Sequence, residues 1–115
     1  TRPMPDEIKR GYLFPYDSWA SRIATHRFVL DIPRQQGRDS DRALADIEAR
    51  LPVLRDRPVR LLWGGQDFCF DRHYYERWRK LLPEAAAEYL EAAGHYVLED
   101  APERCLAEVR RHLGG

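Results

Sequence analysis

The chain has 115 residues, 43% hydrophobic and 33% charged, the size and composition of a small folded domain rather than a disordered tail. Nineteen basic residues balance nineteen acidic ones, and a net charge of zero without a basic run argues against a nucleic-acid partner. No stretch approaches the roughly 18 apolar residues of a membrane span, and no signal-peptide pattern follows Thr1.

Residues 1–14 are rich in Pro and turn formers, with a short helix expected at Asp6–Arg10. Residues 15–31 read as a helix, because Pro15 is tolerated in a first turn and Trp19, Ile23, Phe28 and Leu30 include helix-spaced apolar positions. Pro33 supplies its stop. A polar loop, Gln35–Asp39, leads to a helix capped by Asp39 or Ser40, with the apolar stripe Leu44, Ile47 and Leu51. Pro52 ends or bends it.

After Arg57-Pro58, the run Val59-Arg60-Leu61-Leu62-Trp63 is short, β-prone and mostly apolar, as a buried parallel strand is. Gly64-Gly65-Gln66-Asp67 is a loop signal directly behind it. Asp71 can cap a helix to about Leu82, whose apolar surface comes from Tyr74, Tyr75, Trp78, Leu81 and Leu82, and Pro83 breaks it. Glu88–Glu91 alternates as a second strand does, although the alanines before it favour helix. A loop with Gly94 and His95 follows. Asp100 and Glu103 stand at capping-box spacing before a last amphipathic helix bearing Cys105, Leu106, Val109 and Leu113, which Gly114-Gly115 end.

Strand–helix–strand with a crossover of this length implies a parallel pair and a right-handed connection. Two parallel strands cannot bury both faces or satisfy both edges, so the second half reads as the end of a larger parallel sheet. Functional groups of open α/β sheets gather at the carboxyl ends of strands. Asp67 follows the first strand and His95 the second, so parallel strands bring both to one edge although they are 28 positions apart. A carboxylate facing one ring nitrogen fixes the imidazole's tautomer and stabilises the imidazolium when the other nitrogen takes a proton.

Plainer roles stand beside these. His95 could be an ordinary loop histidine, and Asp67 a turn-forming residue after two glycines. Phe68, Phe70 and Tyr96 flank the pair as candidate substrate-binding residues, with packing an equal alternative. Trp19, Phe28 and Trp78, aromatics at helical spacing, are expected in the core. His73 and His112 are expected to be solvated, and Arg77, Arg79 and Lys80 to form an exposed face. Cys69 and Cys105 read as reduced structural thiols of a cytoplasmic protein. The four histidines form no HxxxH or HExxH pair, so no metal site is expected.

The segment Val59–Asp67 resembles the strand and acid turn of α/β-hydrolases, and Ala93–Glu103 resembles their catalytic-histidine turn and the helix after it. Gly11–Trp19, Arg22 and Asp31-Ile32-Pro33 resemble the end of the cap in haloalkane-dehalogenase-like hydrolases, including the β-lactone decarboxylases of olefin synthesis. The resemblance implies the C-terminal portion of an α/β-hydrolase fold: residues 1–37 as the end of the helical cap, and 38–115 as the last two parallel strands with their helices. It implies a catalytic triad whose base is His95 and whose acid is Asp67, acting on a small apolar substrate by nucleophilic hydrolysis without a cofactor. The nucleophile, a carboxylate or serine, is outside this chain, which has no G-x-S-x-G or G-x-D-x-G elbow. The chain alone is therefore expected to be inactive, with its sheet edge covered by the N-terminal part of the fold or by another chain. The alternatives are an ester, epoxide or β-lactone substrate, or a non-catalytic hydrolase-like module packed on a partner.

Overall fold

Local capping and strand pairing decide where the elements begin. The computed structural model describes residues 3–32 and 39–114. Its contacts group into two compact units, Pro3–Ala49 and Arg50–Gly115.

In the first unit, helix α1 spans Asp6–Leu13, with Asp6 and Glu7 in the first turn and Arg10 in the last, as the helix dipole favours. A 3₁₀ turn, Phe14–Tyr16, separates it from α2, Trp19–Leu30. The helix expected from residue 15 thus starts four residues later. Ser18 is extended and forms a reciprocal box with Ser21: its Oγ accepts the Ser21 N–H at 3.1 Å, and Ser21 Oγ accepts the Ser18 N–H at 3.0 Å. This pairing satisfies two otherwise orphaned donors, whereas Pro15 sits in the 3₁₀ turn. Arg22 Nε adds a bond to Tyr16 O at 2.9 Å.

Helix α3 spans Asp39–Arg50. Asp39 and Ser40 lie in its first turn rather than capping it, and Asp39 pairs with Arg42. The expected stop at Pro33 and residues 35–38 of the polar loop lie outside the described residues. No residue of α2 is buried: Trp19 is 88% exposed and Phe28 75%, against the expectation of a core role. Helical spacing marks a face that can be buried but does not supply the surface that covers it.

The second unit begins at the end of α3. A 3₁₀ turn, Leu51–Asp56, holds Pro52 in its first turn. Strand β1 spans Arg60–Gly64, α4 Arg72–Leu81, β2 Ala86–Leu90, α5 Val97–Asp100 and α6 Pro102–His112. The strands are parallel, with Arg60 opposite Ala86 and Gly64 opposite Leu90. β2 starts earlier than its alternating residues suggest, because Ala86 and Ala87 pair with Arg60 and Leu61. A waiting strand outweighs the helix preference of alanine. Asp71 caps α4 as expected, accepting the His73 N–H at 2.9 Å. Gly114 follows α6 at φ 80°.

The capping box expected from Asp100 and Glu103 does not form. Ala101 precedes α6 without a side-chain cap, and Pro102 occupies the first turn, where a missing N–H costs nothing. Asp100 instead closes the separate short helix α5 and bonds elsewhere.

Leu82, Ala85, Ala93 and Cys105 form the buried apolar centre of this unit. Burial pushes the Cys105 thiol up, as suits an inert side chain. Of the strand residues only Gly64 is fully buried, so the described residues leave the sheet partly uncovered. The largest fully buried side chain is charged. Glu108 of α6, 1% exposed, takes hydrogen bonds from Arg60 at the start of β1 and from Arg111. The Arg60 bond pins α6 to the sheet, and the Arg111 bond lies within the helix. Removing one member of such a buried pair strands the other. Glu108→Ala is therefore expected to cost about 3 kcal/mol in urea unfolding of the full-length protein. A loss under about 1 kcal/mol would mean that the pair contributes little.

Candidate active site

The parallel ladder continues beyond the strands and carries two loops with it. Gly65 N–H donates to Leu90 O, and Gln66 N–H to Ala93 O, each at 2.8 Å. This close approach needs glycine. A Cβ on Gly64 would lie 2.2 Å from Gly94 O and 2.9 Å from Ala93 O, and one on Gly65 would lie 2.8 Å from Glu91 Cα. Backbone atoms on both sides leave nothing flexible to yield. Gly64→Ala is accordingly expected to cost about 3 kcal/mol or more, read as a lower thermal midpoint. An unchanged midpoint would overturn the close-approach argument.

Asp67 ends the first loop. Its Oδ1 accepts the N–H groups of Cys69 at 2.7 Å and Phe70 at 2.9 Å. Trp63 Nε1–H donates to Phe70 O at 2.8 Å, tying the turn back to β1. His95 leaves the second loop, with Nδ1 3.0 Å from Asp67 Oδ1 and 3.1 Å from Oδ2. The turn-forming role and the histidine-pairing role thus belong to one carboxylate.

The Asp67 side chain is 10% exposed and that of His95 33%. Burial is the largest single influence on Asp67 and pushes its carboxyl up. The backbone N–H groups of Phe70 and Cys69, with His95, outweigh it and hold the group below the usual carboxylate range. An ionised carboxylate at Nδ1 keeps the proton there and leaves the Nε2 lone pair available. A lowered folded value stabilises the fold above the ordinary value of 3.8, and that stability is lost as pH falls through the folded value. The stability gap between wild type and Asp67→Asn is expected to be full at about pH 6 and to shrink steadily below about pH 4 in urea titrations. A pH-independent gap would remove the ionised carboxylate from the argument.

The three aromatic residues named from sequence gather on the imidazole. Phe68, Phe70 and Tyr96 have ring centroids 5.3, 5.7 and 5.6 Å from that of His95. All three remain substantially exposed, Phe68 at 85%. Cys69 is exposed and carries no disulfide, and its backbone N–H donates to Asp67 Oδ1. Among the described residues, no three His, Cys, Asp or Glu side chains converge where a metal ion would sit.

Sequence reasoning missed one participant. Asp100 Oδ2 accepts the Gly94 N–H at 2.8 Å, directly before His95. The available signal was an acid five residues after the histidine, which reads equally well as a helix cap.

Comparison with known proteins bears on this geometry. The profile of the alpha/beta hydrolase fold matches residues 4–102. The chain belongs to the alpha/beta hydrolase family. The motifs around Asp67 and His95 pointed to that family, and the two parallel strands are consistent with its C-terminal portion. The chain is also 38% identical over 112 residues to a cis-3-alkyl-4-alkyloxetan-2-one decarboxylase of Shewanella oneidensis, covering 97% of the chain and 35% of the relative. It is 39% identical over 113 residues to a protein of the same name from Xanthomonas campestris pv. campestris, covering 98% of the chain and 38% of the relative. The chain therefore spans little more than a third of the length of these curated relatives. Among its described residues, no helix is long and apolar enough to cross a membrane.

Proposed function

We propose that this chain supplies the base, His95, and the orienting acid, Asp67, of an alpha/beta hydrolase site that opens an alkyl-substituted β-lactone. The carrying observation is the Asp67–His95 pair, on a chain whose relatives are named for decarboxylating an oxetan-2-one, which is a β-lactone. Those names favour the lactone over an alkyl halide. In this reading residues 1–37 end the cap, residues 38–115 end the core, and the nucleophile comes from a segment outside this chain. Free Cys69 and Cys105 suit a reducing cytoplasm.

Decarboxylation of an oxetan-2-one breaks the ring O–C4 and C2–C3 bonds. It forms CO₂ and a C3=C4 alkene, with no net gain of proton or water. A proton taken at His95 Nε2 is therefore returned within the cycle, and Asp67 stabilises the cation in between. Phe68, Phe70 and Tyr96 present an apolar surface for alkyl groups beside the imidazole.

The test offers the full-length protein a cis-3,4-dialkyl-oxetan-2-one, a 1-haloalkane, an epoxide and a p-nitrophenyl ester, with products identified by mass spectrometry. Alkene and CO₂ from the lactone alone are expected. Halide release without lactone turnover would return the reading to a dehalogenase. Turnover of none would favour a non-catalytic module.

A further inference from the structure

We propose that Asp100 is a positioning residue for the His95 base. The inference rests on the reading of His95 given above. It starts from one peptide unit, Ala93–Gly94, whose two residues are both buried. Its carbonyl accepts the Gln66 N–H at 2.8 Å, and its N–H donates to Asp100 Oδ2 at 2.8 Å. No cis bond occurs among the described residues, so these two groups point opposite ways across the peptide plane. Bonds at both edges stop the plane from rotating about the chain. The plane ends at Gly94 Cα, one residue before His95, so it anchors the start of the turn that carries the imidazole.

Asp100 is itself firmly placed. Its N–H donates to Tyr96 O at 2.9 Å, and the following Ala101 N–H donates to Val97 O at 3.0 Å. Helix α5 thus folds the chain back so that residue 100 reaches residue 94. The loop from Gly94 to Asp100 becomes a ring closed by one charge-assisted bond, with His95 inside it. The acid turn holds one edge of the peptide and Asp100 the other. Asp67 orients the imidazole through Nδ1, whereas Asp100 fixes the backbone from which the imidazole hangs.

The test compares Asp100→Leu, which removes the acceptor, with Asp100→Asn, which keeps an oxygen that can accept the Gly94 N–H. In the full-length protein, Asp100→Leu is expected to lower kcat for the β-lactone about 30-fold, with KM changed by less than about twofold. Asn is expected to retain roughly a third or more of kcat. Exchange of the Gly94 amide proton, followed by NMR without substrate, should accelerate about tenfold or more in the Leu variant and much less in the Asn variant. Should Asp100→Leu fail to fold, Asp100→Glu takes its place, because its extra methylene displaces the carboxylate. Unchanged Gly94 exchange, equal damage from both substitutions, or a loss carried by KM would each overturn the assignment. The His95 Nδ1–H resonance separates this failure from failure of the pair. Its absence in the unmodified protein would undo the His95 reading, whereas a normal resonance with no response to Asp100→Leu would sink only the role of Asp100.

Discussion

Replacing His95 by alanine in the full-length protein is expected to lower kcat for β-lactone cleavage about 10⁴-fold and to leave KM within about threefold. The imidazole makes its only side-chain hydrogen bonds among the described residues through Nδ1, to Asp67, and two-thirds of the side chain is already covered. Its removal deletes the proposed proton carrier while the surrounding rings stay in place. Initial rates over a range of lactone concentrations check this expectation, because they separate the loss in kcat from any change in KM. A variant that keeps its full rate would show that His95 is an ordinary loop residue.

Asp67→Asn is expected to cost about 10³-fold or more in kcat. The position of the substituted amide follows from the structure. Cys69 and Phe70 both donate to Oδ1, so the amide oxygen stays there and the NH₂ takes the place of Oδ2, 3.1 Å from His95 Nδ1. A donor then stands beside the amide oxygen, itself 3.0 Å away, and competes for the nitrogen that should donate. The Nδ1–H tautomer loses one of its two acceptors and part of its preference, and the negative charge that would steady an imidazolium is gone. The double variant Asp67→Asn with His95→Ala should be no slower than His95→Ala alone, because the acid acts only through the base. Additive losses in that cycle would give Asp67 a separate task. ¹⁵N chemical shifts of the His95 ring read the tautomer directly.

Much of this site was legible in the sequence because it depends on topology. A mostly apolar run, a glycine turn and an aspartate, followed a crossover later by a second strand and a Gly-His turn, place Asp67 and His95 on one edge whatever the details of packing. The surrounding bonds were less legible because they depend on competition between nearby partners. Asp100 has the spacing of a cap, yet it bonds the buried Gly94 N–H rather than the start of α6. Pro15 is compatible with a first turn, yet the Ser18–Ser21 box starts α2 later. Ala86 and Ala87 favour helix on their own and become strand beside Arg60 and Leu61. Burial was the least legible property. Trp19 and Phe28 have helical spacing, but spacing says nothing about the surface that would cover them.

The bonds Gly65–Leu90 and Gln66–Ala93 extend the ladder past the last strand residues, almost to Asp67 and His95 themselves. The two residues therefore share a rigid frame rather than two hinged arms. Breathing of the sheet carries them in the same direction, and their separation is insulated from it.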